Sequence, residues 1–150
     1  MSFTLGKRSK DNLVGVDKQL VAVVERAIVI TKQDFTVIEG LRSAERQRQL
    51  VAERKSQTLD SKHLTGRAVD LAAFSAGQIS WKLEQYDEIA DAIAQAARDV
   101  GVAIRWGAAW NIPDIRRWNG SMESAMNHYI DERRKAGKRP FIDAPHFELN

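Results

Sequence analysis

The strongest constraint on this chain is the stretch Ser61-Lys62-His63-Leu64-Thr65-Gly66-Arg67-Ala68-Val69-Asp70. It sets an imidazole and a carboxylate seven residues apart, just ahead of the β-rich run Leu71-Ala72-Ala73-Phe74. On a straight strand, residues seven apart point to opposite faces. His63 and Asp70 can meet only if the chain bends between them, and Thr65-Gly66 is where it can. A fold that uses both side chains together must therefore place a sharp turn immediately before the strand.

A second stretch, Asp143-Ala144-Pro145-His146-Phe147-Glu148-Leu149, holds another histidine between two acids. Pro145 stiffens the backbone ahead of His146, and Glu148 shares strand parity with it. A catalytic zinc ion takes three protein ligands, commonly histidine nitrogens with a carboxylate, and keeps a fourth position open. His63, Asp70 and His146 fill that count. Asp143 is spaced to accept a proton from a water at such a site, and Glu148 to hold a ligand's outer ring nitrogen or to serve as an alternative base. Taken singly, each residue has a plainer reading as a structural histidine or a strand-end acid. His128, which lacks an acid at ligand spacing, keeps that plainer reading.

Composition narrows the classes. The chain has 150 residues, 43% of them hydrophobic, which fits one domain with its own core. There is no cysteine, so disulfides, cysteine zinc fingers and thiol catalysis are excluded, and with three histidines any transition-metal site must use most of them. No run approaches the length of a membrane span, and the polar, basic first residues carry no signal-peptide pattern. The expectation is synthesis in a cytoplasm without an export signal and without stable membrane insertion. The net charge of +3 suits a polyanionic partner but does not demand one.

Read in order, residues 1–12 look like a loosely held polar arm. Leu20, Val23, Val24, Ala27 and Ile28 then form one apolar helical face behind an Asp17 cap. A strand is expected over Phe35–Glu39, and a helix capped by Ser43 to about Glu53. Arg42 falls at the junction of those two elements. Residues 55–62 read as a polar loop, Ser75-Ala76-Gly77 as a turn, Trp81–Asp99 as a long helix stopped by Gly101, and Val102–Trp106 as a strand. Residues 107–141 are the least regular, with a helix expected over Met122–Lys135, and a segment of this length commonly lines or covers a site. Phe141–Leu149 reads as a closing strand. This order predicts an α+β fold rather than a doubly wound parallel sheet.

The combined pattern Ser61-x-His63-x-x-Gly66-x-Ala68-x-Asp70 with Asp143-x-x-His146 resembles the family of zinc D-Ala-D-Ala carboxypeptidases and L-alanyl-D-glutamate endopeptidases, and most of all the peptidase domains of bacteriophage endolysins. Glu39-Gly40-Leu41-Arg42-Ser43-x-Glu45-Arg46-Gln47, Arg105-Trp106-Gly107 and the Pro145–Leu149 ending are similar to it as well. The resemblance implies a small single-domain fold shared with the Hedgehog signalling domain, a short antiparallel sheet flanked by helices, and one Zn²⁺ per chain in a monomer. It implies His63, Asp70 and His146 as zinc ligands and Asp143 as catalytic base. It also implies Arg42 and Ser61 at substrate-contacting positions, with Arg42 holding a carboxylate or polarising the scissile carbonyl. The implied substrate is a peptidoglycan stem peptide, cut between L-alanine and D-glutamate by a phage lysis enzyme that is made in the host cytoplasm and reaches the wall once the membrane is opened. Family members often carry a Gly-Gly-Asp-Trp-like turn after Arg-Trp-Gly, where this chain has Gly107-Ala108-Ala109-Trp110.

Three other readings are open to the same residues: a D,D-carboxypeptidase releasing terminal D-alanine, an idle zinc-containing wall-binding module, and a basic nucleic-acid binder built on the 42–55 helix. The last offers no stacking platform, and no nucleic-acid partner is expected. The basic run from Arg133 to Arg139 is expected to contact anionic envelope polymers.

Overall fold

The computed structural model describes residues 2–56, 58 and 61–150. In chain order it contains α1 (Lys7–Asn12), α2 (Lys18–Ile30), β1 (Phe35–Glu39), α3 (Ala44–Ala52), a 3₁₀ turn (Lys62–Thr65), β2 (Ala68–Ser75), β3 (Gln78–Ser80), α4 (Leu83–Val100), β4 (Ile104–Trp106), a 3₁₀ turn (Ile115–Arg117), α5 (Met122–Lys135) and β5 (His146–Leu149). The strands form one antiparallel sheet in the order β1-β2-β5-β4, with β3 also paired to β2. This is the α+β architecture that the order of sequence patterns predicts.

Strand parity divides the sheet into two chemically different faces. Phe35, Val37, Val69, Leu71, Ala73, Ile104, Trp106, Phe147 and Leu149 face one way and join a single apolar core with the buried sides of α2 and α4. Trp106 and Phe147 are fully buried and stack at 6.3 Å. The indole Nε1–H of Trp106 donates to the Ala144 carbonyl at 2.8 Å, so its polar edge is satisfied. The opposite face presents Asp70 and His146, which are directly opposed across β2 and β5, and Glu39, which is opposed to Asp70 across β1 and β2. A register shift between Val37 and Glu39 brings the glutamate into that row.

Several expectations are corrected. Of the arm expected over residues 1–12, residue 1 lies outside the described residues and Lys7–Asn12 is not loose: it is helical, the buried Ser9 hydroxyl accepts from Val37 N at 2.9 Å, and Asn12 Nδ2 donates to Val37 O at 2.8 Å. The polar side chains that look solvated in sequence satisfy the free edge of β1. The expected strand over Phe141–Leu149 shortens to His146–Leu149, because prolines at 140 and 145 remove two donors and the Asp143 carbonyl accepts from His146 N in a tight turn. The 75–77 turn leads into β3, whose three residues carry too short a pattern to read. The polar loop expected over 55–62 falls partly, at 57, 59 and 60, outside the described residues. The Ser43 and Asp17 caps, the Gly101 stop and the Met122–Lys135 helix form as the sequence predicts.

The bend demanded by the His63–Asp70 spacing is the 3₁₀ turn closed by Gly66 at φ +71°. A Cβ on Gly66 would stand 2.3 Å from the Gly15 carbonyl oxygen, a backbone atom with little room to move. The Gly66 carbonyl in turn accepts from Asp17 N at 2.8 Å, tying the turn to the start of α2. Gly66→Ala combines left-handed strain with that clash and is expected to cost about 1–3 kcal/mol or more. Urea unfolding should show a lower midpoint with an unchanged m-value.

Candidate active site

The 3₁₀ turn and the two central strands bring together what the sequence separates. Ser61 caps the turn, its hydroxyl accepting from His63 N at 3.2 Å. His63, only 1% exposed, thereby enters the polar face of the sheet beside Asp70. His63 Nε2 and His146 Nδ1 each lie 3.3 Å from the same oxygen, Asp70 Oδ1. The three candidate ligand atoms fall within 4.8 Å of one another.

Each imidazole is also gripped from behind. His63 Nδ1 lies 2.8 Å from the Gly40 carbonyl, and His146 Nε2 lies 2.8 Å from Glu148 Oε1. An outer partner that accepts a proton fixes the tautomer and turns the other nitrogen's lone pair inward, as metal-binding histidines require. Glu148 is itself held by Lys62, whose Nζ lies 3.2 Å from Glu148 Oε2 and 2.5 Å from the Leu149 carbonyl. Burial would raise the Glu148 carboxyl, but the hydrogen bonds from His146 and Lys62 outweigh it and hold the group ionised.

Arg42 occupies the other side of Asp70. Its Nε and Nη2 fork onto Glu39 at 2.7 and 2.9 Å, its Nη1 donates to Gln47 Oε1 at 2.7 Å, and Nη2 also reaches Asp70 Oδ2 at 3.3 Å. The two-pronged edge that would fit a substrate carboxylate is thus occupied by Glu39. The i, i+3 spacing of Glu39 and Arg42 is the sequence signal for this pair. Gln47 and Lys62 carry no such signal.

The electrostatics favour a cation at the centre. Of the four carboxylates Glu39, Asp70, Asp143 and Glu148, the first two are paired to Arg42 and the last to Lys62, whereas Asp143 has no Lys or Arg within ion-pair distance among the described residues. Burial works against the charge on Asp70, yet hydrogen bonds from His146 and His63 hold its carboxyl far below the usual range. His146 is pushed up to about 9: burial opposes the charge, and the hydrogen bonds to Asp70 and Glu148 overcome that opposition. A pocket that draws protons onto a buried imidazole has the charge deficit a divalent ion would fill. The two nitrogens and one carboxylate oxygen suit a borderline metal, so the residues present are compatible with a metal site.

Asp143 behaves differently from its neighbours. Burial and the nearby Asp70 carboxylate push it up to about 6, against the pull of His146, His63 and Arg42. It is carried by a tight turn against Gly107, with Asp143 N donating to Gly107 O and Gly107 N to His146 O, both at 2.8 Å. A Cβ on Gly107 would sit 2.3 Å from the Asp143 carbonyl oxygen, which accounts for glycine after Arg105-Trp106.

These groups line one open cleft of about 540 Å³. The 107–141 segment supplies part of its wall. Trp110 and Phe141 stack at 6.3 Å, Trp110 leans on His146 at 5.4 Å, and the Tyr129 hydroxyl accepts from Phe141 N at 3.1 Å. Ser61 lines the cleft as well, whereas His128 packs against Trp118 away from it. None of the helices among the described residues is long and apolar enough to cross a membrane.

Glu148→Ala removes the acceptor that orients His146 while leaving all three candidate ligand atoms in place. It should weaken affinity for a divalent metal such as zinc by about 10- to 100-fold. Competition against a chromogenic chelator, with circular dichroism to verify the fold, reads this directly.

Comparison with known proteins agrees with this geometry. The chain is 37% identical over 153 residues to the L-alanyl-D-glutamate peptidase of Escherichia phage T5, covering 99% of both proteins. Its structure superposes on that of the Serratia marcescens L-Ala D-Glu endopeptidase ChiX with a TM-score of 0.74 and 36% identity, over 99% of this chain and 91% of that one. A family model for phage L-alanyl-D-glutamate peptidases matches residues 1–150. The chain belongs to the phage L-alanyl-D-glutamate peptidase family.

Proposed function

We propose that this protein is a zinc-dependent endopeptidase that cuts the L-alanyl-D-glutamate bond of peptidoglycan stem peptides during phage lysis. The observation that carries the reading is the convergence of His63 Nε2, Asp70 Oδ1 and His146 Nδ1 beside a carboxyl held near neutrality, in a cleft open to a peptide. Family membership supports the bond assignment.

His63, Asp70 and His146 would hold the zinc ion, which supplies Lewis acidity, polarising an oxygen ligand and making a water more acidic. Asp143 is the base: its carboxylate takes a proton from the water that attacks the alanyl carbonyl carbon. It then returns that proton to the glutamyl nitrogen as the C–N bond breaks, so the amine leaves neutral. A carboxyl near 6 suits both transfers, because it neither holds the proton too tightly nor refuses it. Arg42 positions Asp70 through Oδ2, and its remaining Nη1 proton, without a protein partner among the described residues, can reach a substrate oxygen. Ser61 holds the turn that carries His63.

Such an enzyme is made in the host cytoplasm and works on the wall once another protein has opened the membrane. Arg134, Lys135, Lys138 and Arg139 are exposed and offer anionic envelope polymers a contact surface outside the cleft. Their joint replacement by glutamine should weaken sedimentation with purified walls, as added salt does, while leaving cleavage of a small soluble peptide near the original rate.

The deciding experiment is digestion of purified peptidoglycan by the zinc-loaded protein, with the new ends read by mass spectrometry. New amino-terminal D-glutamate is expected. Free D-alanine would make the protein a carboxypeptidase instead, and no product from folded, zinc-loaded protein would make it a binding module.

Asp143→Asn should retain metal and fold yet lose about 10²- to 10⁴-fold in kcat. Because the base must be ionised, kcat/KM should fall tenfold per pH unit on the acid side and level off above the transition. The midpoint should lie no higher than about 6, since a bound metal's positive charge draws it down. Near wild-type turnover in Asp143→Asn would shift the base to Glu148.

A further inference from the structure

Four cationic side chains line the cleft: Arg42, Lys55, Lys62 and Arg133. Three are already matched to carboxylates. Arg42 is forked onto Glu39, Lys62 lies 3.2 Å from Glu148, and Lys55 lies 3.5 Å from Glu53. Arg133 has no carboxylate within ion-pair distance among the described residues, although it is half-buried where its neighbours in the basic run are exposed.

Its guanidinium is nevertheless held in place. Nε and Nη2 donate to the Arg139 carbonyl at 3.2 and 3.0 Å, which leaves both Nη1 protons and one Nη2 proton without a protein partner among the described residues. Arg133 is therefore both a staple for the turn after α5 and a fixed cation. The stacked rings of Trp110 and Phe141 form the same wall of the cleft and lower the local polarity, which strengthens any ion pair made there.

The substrate class supplies the missing charge. A glutamyl residue has two carboxyl groups, and a peptide that continues through one leaves the other free. An L-alanyl-D-glutamyl substrate thus brings a carboxylate immediately beyond the scissile bond. We propose that Arg133 receives this carboxylate and so fixes the leaving side of the peptide, a specificity role that rests on the endopeptidase reading above. The fork of Arg42, the obvious alternative from sequence, is spent inside the protein on Glu39.

The test uses the zinc-loaded protein and two soluble peptides that share the L-alanyl-D-glutamyl bond. One keeps the free glutamyl carboxylate, and in the other that group is a carboxamide. The wild-type protein should favour the acid by about 10- to 100-fold in kcat/KM, mainly through KM. In Arg133→Gln the ratio should collapse towards one, and in Arg133→Lys, which keeps the charge without the fork, it should be intermediate.

If Arg133 only staples the turn, both peptides will lose rate together and the ratio will persist, which overturns the proposal. A wild-type protein that cuts both peptides equally overturns it without any variant, while leaving the endopeptidase reading intact. Cleavage of neither peptide would remove the endopeptidase reading and the role of Arg133 with it. Should Arg133→Gln fail to fold, the wild-type ratio and Arg133→Lys still decide.

Discussion

The site depends on one carboxylate that is used in two directions. Asp70 Oδ2 is turned towards Arg42, and Oδ1 towards both imidazoles. A carboxylate taken out of water needs compensation on each oxygen, or it protonates and ceases to be a ligand. Arg42 gives that compensation on the outer side, and Glu39 in turn compensates Arg42. The chain Glu39–Arg42–Asp70 runs across β1 and β2 on the face away from the core. The buried ion pairs are thus better understood as geometry than as stability, because their desolvation offsets much of their Coulombic gain.

A matching arrangement exists on the far side, where Lys62, Glu148 and His146 run in series. The two chains meet at Asp70 Oδ1 and the inward-facing nitrogens. Lys62 and His63 are adjacent in sequence yet reach different strands, Lys62 meeting Glu148 on β5 and His63 meeting Asp70 on β2. A single short turn therefore sets both halves of the site, and its conformation rests on Gly66. The precision of the cluster comes from backbone elements and from partners locked by partners of their own.

Much of this was legible in the sequence because it is local or periodic. The apolar face of α2, the Ser43 cap, the glycine stop at 101 and the His63-to-Asp70 bend all follow from spacings within a few turns of chain. The two stretches that carry the candidate ligands were legible because so few histidines are present. What was hidden depends on contacts distant in sequence. Residues 1–12 look disordered until Ser9 and Asn12 meet the edge of β1. Lys62 looks like a surface lysine until the end of β5 arrives beside it. Arg42 reads as a free cation because the i, i+3 spacing to Glu39 is a weak signal where a strand ends and a helix has not yet begun.

The position of β5 has one more consequence. It is the last strand in chain order, yet it lies between β2 and β4 in the middle of the sheet. Until residues 146–149 are added, β2 and β4 have no common neighbour, and His146 and Glu148 are missing from the site. A growing chain therefore lacks a complete site until β5 is made, and the non-local pairing that joins β2 to β4 is also what completes the site. For a wall-cutting enzyme this makes folding itself the act of arming: a fragment cut short before β5 lacks both the strand that joins the sheet and one of the three converging side chains.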